Sequence, residues 1–210
     1  CVFHNGFYSF VSYKSCVLFT NIPFKLLFIT SFMQPWIQMG LTLLGAPAVR
    51  YSGPTSGRTP SGFTCSGFVY YLLTQNGFLP EEVPVHTNEL FDHFGILIQE
   101  DFRRTGDLVF FSRRGIIPTH VGFYASRDDL SSFLQENLLF EKRDTLPSSL
   151  GDVPHLVLES PGVSGGSVRL RPLLSEPIVL LPSENHQLYA HNPIGYKRLA
   201  HLNGRYRRFV

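Results

Sequence analysis

The strongest constraint in this sequence is an apolar stripe that begins with a cysteine. Its five positions follow the helical spacing i, i+3, i+4, i+7 and i+8: Cys65, Phe68, Val69, Leu72 and Leu73. This spacing places the five side chains on one face of an α-helix that packs against a core. Thr64 is suited to cap the start of this helix, and Gly77 is suited to end it. The sequence therefore predicts a buried helix whose first residue is Cys65.

The hydrophobic period changes from that of a helix to that of a strand in the second half of the chain. The expected strands lie at 107–111, 120–124, 155–158, 167–170 and 194–199. Further helices are expected at 37–44, 87–94 and 128–143. Residues 50–63 are dense in Gly, Ser, Thr and Pro, so they are expected to form a loop. Helices followed by a meander of strands predict an α+β domain.

Composition limits the classes of function. The chain has 210 residues, 43% of them hydrophobic and 16% charged, which is typical of a globular domain. A formal net charge of +2 is too small to indicate a nucleic-acid partner. The three cysteines are Cys1, Cys16 and Cys65, and they form no CxxC pair. A zinc site built on paired thiolates is therefore not expected.

Residues 1–33 differ in character from the rest, being rich in Phe and poor in acidic residues. Lys25 precedes the apolar run from Leu26 to Met33, an arrangement that resembles part of a secretory signal. That run is shorter than the roughly 20 residues of a membrane-spanning helix. Three interpretations stay open: a signal or anchor remnant, mis-annotated upstream sequence with Met33 as the start, or a true structural element. The domain proper is expected at 34–210.

The position of Cys65 gives its thiol a physical reason to ionise. A free thiol has a pKa of about 8.5, and the positive end of a helix dipole lowers it. The small neighbours Ser66 and Gly67 leave room for a substrate, and the unpaired N–H groups of the first helical turn can hold an oxyanion. The alternative is an inert buried thiol, which is the commoner fate of a cysteine on an apolar helix face.

A nucleophilic cysteine needs a base, and His120 is the best placed candidate. It follows Pro118 and Thr119 and begins an apolar strand, so it can face a helix end across the mouth of the sheet. The alternative for His120 is an edge histidine whose hydrogen bonds are satisfied locally. His86 and His93 lie in a loop-and-helix region and are expected to be exposed.

Three sequence blocks in a fixed order resemble the NlpC family of papain-like cysteine peptidases, which cut peptidoglycan stem peptides. The first runs through Gly45-Ala46-Pro47 and Val49 to Gly53 into Gly62 to Phe68, which contains Cys65-Ser66-Gly67-Phe68. The others are Gly106-Asp107-Leu108-Val109-Phe110-Phe111 and Thr119-His120-Val121-Gly122-Phe123-Tyr124. The resemblance covers about 35–200. It implies a papain-like α+β fold of the circularly permuted cysteine-peptidase type, with the nucleophile helix packed on an antiparallel sheet.

By this resemblance, Cys65 is the nucleophile, His120 the general base and Glu159 the residue that orients the imidazole. The family commonly places His at the third position, in a sequence like IHAPG, where this chain has Leu158 to Gly162. A carboxylate can accept the imidazole N–H, so Glu159 suits the role. His155 is the competing choice, although it lies four residues upstream, about 13 Å along a strand. The separation of His120 and Glu159 predicts an insertion at about 126–152.

The chain departs from the family pattern at two places. Thr64 stands where the family usually has Asp, and Val49 stands where it favours Tyr; the family's paired glycines appear as Ser52-Gly53. Tyr51 is close in sequence but occupies a different position. Ser66 and Tyr51 are the candidate substrate-binding residues.

The resemblance implies hydrolysis of an amide bond in peptidoglycan stem peptides, of the D-γ-glutamyl–diamino acid type, through an acyl-enzyme. No metal or organic cofactor is implied. We expect a monomer that is secreted or held in a bacterial cell envelope, with no nucleic-acid partner and no stable membrane span. The alternatives are a non-catalytic cell-wall binding module of the same fold and a papain-like amidase or acyltransferase.

Overall fold

The computed structural model describes residues 33–50, 57–79, 86–112, 117–136, 150–173 and 193–199, all within one compact unit, Ser31–Val210. Four α-helices lie in these ranges: α1 (Pro35–Thr42), α2 (Cys65–Gln75), α3 (Thr87–His93) and α4 (Arg127–Glu136). The short strands before the main sheet are β1 (Arg58–Thr59) and β2 (Gly62–Phe63), which pair antiparallel. Except for Met33, the predicted N-terminal segment 1–33 lies outside the described residues.

Six strands form one antiparallel sheet in the order β3-β8-β4-β5-β6-β7. They are β3 (Ile96–Ile98), β4 (Leu108–Phe111), β5 (His120–Ser126), β6 (His155–Glu159), β7 (Arg169–Pro172) and β8 (Pro193–Arg198). One 3₁₀ turn, Glu100–Phe102, precedes β4. Strands β5 and β6 are neighbours and run antiparallel, so the beginning of β5 lies beside the end of β6.

Helix α2 packs on the centre of this sheet. Phe68, Val69, Leu72 and Leu73 are completely buried, and the ring of Phe68 meets that of Phe123 on β5 edge to face, 6.5 Å between centroids. Helix α1 packs against α2 and also contacts β6. Burial of four large apolar side chains stabilises the helix by roughly 1.5–3 kcal/mol each. The prediction of an α+β domain with this helix packed on an antiparallel sheet is confirmed.

Element boundaries differ from the sequence predictions by a few residues. The strand expected at 167–170 lies at Arg169–Pro172, and the helix expected at 128–143 runs over Arg127–Glu136. Strand β3 was not expected, and β1 and β2 lie inside the segment predicted to be a loop. Strand β3 is a run of only three apolar residues after Gly95, too short for an alternating pattern.

Gly67 allows a loop to approach the first turn of α2. A Cβ atom at this position would lie 1.9 Å from the carbonyl oxygen of Gly57. That oxygen is fixed because it accepts a hydrogen bond of 3.0 Å from the N–H of Thr64. The loop before the helix is therefore held against the turn that carries Cys65.

We expect Gly67→Ala to lower the free energy of unfolding by up to about 2 kcal/mol. Alanine favours a helix over glycine by about 1 kcal/mol, but forced overpacking costs about 1–3 kcal/mol, and here it meets backbone rather than a movable side chain. Urea unfolding followed by circular dichroism measures the change. The matched control is Gly40→Ala in α1, where the new methyl meets the terminal Cδ2 of Leu158, which can move. Equal or greater loss in the control would contradict this account.

Candidate active site

Cys65 is the first residue of α2, and the residue before it caps the helix. Thr64 has an extended backbone, is 3% exposed, and its hydroxyl oxygen accepts a hydrogen bond of 3.0 Å from the N–H of Gly67. The first turn of α2 contains no acidic residue. Because the cap is neutral, no carboxylate in this turn opposes formation of a thiolate at the positive end of the helix. Thr64 therefore performs the structural part of a capping residue without adding a charge.

His120 lies at the start of β5 and joins the thiol to a buried carboxylate. It is 2% exposed, and its Nε2 lies 2.8 Å from Oε2 of Glu159. The imidazole also hydrogen-bonds the thiol of Cys65. Since Nε2 faces Glu159, Nδ1 is the nitrogen left to face the sulfur. Each ring nitrogen of His120 thus has its own partner.

Strand register and one glycine bring Glu159 to the imidazole. Phe123 of β5 pairs with Leu158 of β6, so the next position places Gly122 opposite Glu159. A Cβ atom at Gly122 would lie 3.2 Å from Cβ of Glu159 and 2.6 Å from Cγ1 of Val157. His120 is two residues before Gly122 and on the same face of the strand. The missing side chain at Gly122 leaves the space through which Glu159 reaches the ring.

Glu159 is completely buried and lies among three cationic partners: His120, Arg169 and Arg171. Burial alone would raise the pKa of this carboxyl, but the charges of Arg171, His120 and Arg169 hold its pKa well below the usual range. The carboxylate is therefore ionised at neutral pH. The two arginines were missed at the sequence level, although their spacing of two residues on a strand places both on the face of Glu159.

The structure brings Glu159, and not His155, to His120. His155 is at the opposite end of β6, where its Nδ1 lies 2.8 Å from the hydroxyl of Tyr124. Partial burial and the charge of Arg103 lower the pKa of His155, and the charge of Glu100 opposes them. His155 belongs to a separate polar contact at the far end of the strands.

The electrostatics favour a thiolate and an imidazolium. Burial would raise the pKa of Cys65, but the hydrogen bond and charge of His120, together with the hydrogen bonds of Thr87 and of the Ser66 backbone, leave that pKa below its ordinary value. Burial would lower the pKa of His120, yet the charge of Glu159 and the hydrogen bonds to Cys65 and Glu159 raise it to about 9. Opposite charges in contact stabilise each other in this way. The pair is ionised over a pH range that ends near 9.

Thr87 is a contact of the sulfur that sequence reasoning did not associate with the site. It begins α3, is 9% exposed, and its hydroxyl oxygen lies 3.8 Å from Sγ of Cys65, within hydrogen-bonding range for sulfur. Toward a thiolate this hydroxyl can only be the donor. The hydrogen bond helps to lower the pKa of Cys65, after the larger influence of His120. Nothing in the spacing from Cys65 to Thr87 indicated this contact.

The predicted substrate-binding residues differ in what can be described. Ser66 is buried, with 6% of its surface exposed, and its backbone N–H hydrogen-bonds the sulfur of Cys65. Tyr51 lies outside the described residues. Gly162, at a φ of +65°, approaches Cys65 so closely that a Cβ atom there would lie 3.9 Å from Sγ. The loop that follows β6 therefore borders the sulfur.

Comparison with known protein families supports the resemblance over part of the chain. The sequence model described as the NlpC/P60 family matches residues 51–146, a segment that contains Cys65 and His120. The predicted resemblance to the NlpC/P60 family is thereby confirmed. The papain-like α+β fold expected from that family is confirmed as well. Glu159 and both arginines lie beyond the matched segment.

Several solved structures are similar to this chain. An NlpC/P60 family protein from Bacillus cereus is 20% identical, with 79% of this chain and 39% of that chain covered and a TM-score of 0.48. A protein from Staphylococcus aureus described as similar to lipoprotein, of the NLP/P60 family, is 17% identical. The match covers 80% of this chain and 41% of that chain, with a TM-score of 0.45. The NlpC/p60 domain of the peptidoglycan hydrolase SagA is 19% identical. The match covers 79% of this chain and 97% of that domain, with a TM-score of 0.42. The chain thus spans about two fifths of the first two proteins.

The described ranges contain no group of three or more His, Cys, Asp or Glu side chains that could hold a metal ion. Within the same part of the chain, no helix has the length and apolar character needed to cross a bilayer.

We expect iodoacetate to alkylate Cys65 with a bell-shaped dependence on pH. The rate should rise through a thiol pKa below the usual 8.5 and fall near pH 9, where His120 loses the charge that attracts this anionic reagent. Mass spectrometry of the alkylated peptides distinguishes Cys65 from Cys1 and Cys16. A single rise centred on pH 8.5 would show an unperturbed thiol and contradict the ion pair.

Thr87→Val should move the acid limb of that profile up by about one pH unit, since it removes a hydrogen bond to the thiolate. Thr87→Ser should restore the limb because it retains the hydroxyl. Thr74→Val is the matched control. Thr74 lies in α2, and its hydroxyl is buried but has no hydrogen-bond partner among the described residues. An acid limb that stays in place in Thr87→Val would exclude Thr87 from the site.

Proposed function

We propose that this chain is a cysteine endopeptidase that hydrolyses an amide bond in peptidoglycan stem peptides. The observation that carries the proposal is the contact of Cys65 with His120, whose Nε2 lies 2.8 Å from Glu159. The NlpC/P60 match covers both the nucleophile and the base. By resemblance to that family, the bond is of the D-γ-glutamyl–diamino acid type. Such a substrate implies that the protein works outside the cytoplasmic membrane, secreted or held in a bacterial envelope.

The first half of the reaction makes an acyl-enzyme. The Cys65 thiolate attacks the carbonyl carbon of the amide, a C–S bond forms, and the carbonyl oxygen becomes an oxyanion. His120, already an imidazolium, gives its proton to the leaving nitrogen as the C–N bond breaks. The amine leaves, and the acyl group stays on the sulfur as a thioester. Glu159 stabilises the imidazolium before this transfer and keeps the ring oriented after it.

The start of α2 supplies stabilisation for the oxyanion. The N–H of Gly67 is occupied by the cap, and the N–H of Ser66 hydrogen-bonds the sulfur. The N–H of Cys65 is at the first helical position, where the helix itself provides no acceptor. This N–H lies at the end of the helix that favours negative charge, in the same residue as the sulfur that attacks the carbonyl carbon. In another acyl-transfer enzyme, loss of one side-chain donor to the oxyanion costs about 3–4 kcal/mol of transition-state stabilisation.

The second half of the reaction releases the acid. His120, now neutral, takes a proton from a water molecule, and the resulting hydroxide attacks the thioester carbon. The C–S bond breaks and the thiolate returns, still paired with the imidazolium. The product carries a new carboxyl group, and the proton taken from water restores the starting charge on His120. Each group ends the cycle in the state in which it began.

We expect the wild-type chain to digest purified peptidoglycan and Cys65→Ala to be inactive. Mass spectrometry of the products should show one new amine and one new carboxyl group per cleaved bond, made only by wild type. Cleavage that is unaffected by Cys65→Ala would contradict this mechanism.

The same experiment separates the alternatives. Binding of both proteins to the wall without cleavage would support a non-catalytic binding module. Products in which the acyl group is joined to an added amine, in place of a new carboxyl group, would support an acyltransferase. The neutral Thr64, where the family pattern has a carboxylate, gives a physical reason to test both outcomes, because it changes the charge beside the nucleophile.

Glu159→Gln should lower kcat by about 10²–10⁴-fold without a change of fold. An amide keeps the size of the side chain but removes the charge that stabilises the imidazolium. The basic limb of kcat against pH should move down, because the pKa of His120 falls when this charge is lost. Circular dichroism verifies folding. Full activity would mean that another residue orients His120.

A further inference from the structure

We propose that Arg171, supported by Arg169, is a positioning residue that holds Glu159 against His120 through the whole reaction. The reactive centre is then a chain of four side chains, from Cys65 through His120 and Glu159 to Arg171. This inference deepens the proposed function and rests on it, because the arginines act through the catalytic histidine. Neither arginine lies in the segment that matches the NlpC/P60 family.

The changing charge of His120 creates the need for a permanent cation. Glu159 is completely buried, and a buried carboxylate without a partner of opposite charge is strongly destabilising. His120 is an imidazolium in the resting pair but neutral once it has protonated the leaving amine. At that stage it cannot balance Glu159. A guanidinium stays charged throughout, so Glu159 remains ionised when His120 must act as a base.

The sheet places both arginines beside Glu159, where a permanent cation is needed. Glu159 of β6 pairs with Arg169 of β7, and Arg171 lies two residues further on the same face. Nε of Arg171 lies 2.8 Å from Oε2 of Glu159, the oxygen that also faces Nε2 of His120. Nη2 of Arg169 lies 3.1 Å from Oε1. The two oxygens of one carboxylate are therefore divided between the two arginines.

Arg171 is held more firmly than Arg169. Its Nη1 donates a 2.8 Å hydrogen bond to the carbonyl of Pro172, and its guanidinium lies over the ring of Phe111, 4.8 Å from the centroid. The centroid of the same ring lies 5.6 Å from that of the His120 ring, so Phe111 contacts both Arg171 and His120. The side chain of Arg171 is 10% exposed and that of Arg169 is 48% exposed. Solvent screens the half-exposed charge more strongly, so Arg171 should have the larger effect.

The unmet hydrogen bonds of Arg171 argue against a purely structural role. Its Nε and Nη2 are buried and make no hydrogen bond to the described residues, so the contact with Glu159 is an ion pair by distance only. Leaving such donors unpaired costs stability. An apolar side chain of similar length would avoid that cost. The benefit that remains is the charge beside Glu159.

The direction in which the pKa values of Cys65 and His120 move when this charge is removed can be predicted. The charged groups that face His120 are Cys65 from α2 and Glu159 from β6, with the two arginines of β7 behind Glu159. Phe111 faces the imidazole without charge, and the uncharged Thr87 contacts the sulfur of Cys65. Loss of a cation makes the local potential more negative. Cys65 and His120 both then hold their protons to higher pH. Both limbs of the alkylation profile should move up, whereas Glu159→Gln should move the basic limb down.

The test compares Arg171→Met with wild type by the rate of Cys65 alkylation with iodoacetate against pH. We expect both limbs to move up by about half to one pH unit. On peptidoglycan we expect kcat to fall about tenfold with little change in KM, because substrate binding is not affected. Arg171→Lys should restore the limbs, since it keeps the charge, but only part of kcat, since one ammonium cannot make both contacts of the guanidinium.

Two further variants make the result unambiguous. Arg198→Met is the matched control: Arg198 forms an ion pair of 2.9 Å with the buried Asp107, on a different strand from the arginines of β7, and its loss should leave both limbs in place. Arg169→Met should move both limbs up by a smaller amount. If Arg171→Met does not fold, Arg169→Met decides, and unchanged limbs in that variant overturn the proposal.

The alkylation readout needs no substrate, so it separates this proposal from the proposed function. Inactivity on peptidoglycan with shifted limbs in Arg171→Met would support the arginine and reject the substrate. Cleavage by wild type with wild-type limbs and kcat in Arg171→Met would support the peptidase and reject the arginine as a positioning residue.

Discussion

The buried charge of Glu159 is the interaction on which the rest of the site depends. A carboxylate with no exposed surface requires cations within contact distance, and strand β7 provides two of them through its register with β6. It also requires space, which the glycine at 122 provides. His120 is in turn held by this carboxylate, and the thiol is held by His120. The contacts of the candidate nucleophile Cys65 therefore continue through His120 and Glu159 to the arginines of β7, at the edge of the sheet.

Helix α2 connects this site to the stability of the domain. Its apolar residues form the centre of the core, while its first residue is the candidate nucleophile. The cap at Thr64 and the close contact of Gly67 with the loop before it fix the position of the first turn. Changes that loosen the core are therefore expected to displace the sulfur as well. A reactive group at the end of a deeply packed helix has the rigidity that preorganised sites require.

Some of this arrangement could be predicted from the sequence because local patterns determine it. The helical stripe from Cys65 and the apolar strand that starts at His120 depend on neighbours within a few residues, and both are present. Tertiary geometry decides the rest. The register that chooses Glu159 over His155 depends on a long connection between β5 and β6. The contact of Thr87 with the sulfur joins two helices that the sequence does not relate, and β3 is too short to give a periodic signal.

The order of strands has a consequence for how the protein is made. Strand β8 follows all the candidate catalytic residues in the sequence, yet it lies in the sheet between β3 and β4, where Val109 pairs with Tyr196. During synthesis, Cys65, His120 and Glu159 leave the ribosome before the strand that completes their sheet. Pairings between such distant parts of a chain form late and slowly. A nascent chain can thus carry every candidate catalytic side chain while the sheet that positions them is still incomplete, so the candidate site is assembled only after synthesis has passed β8.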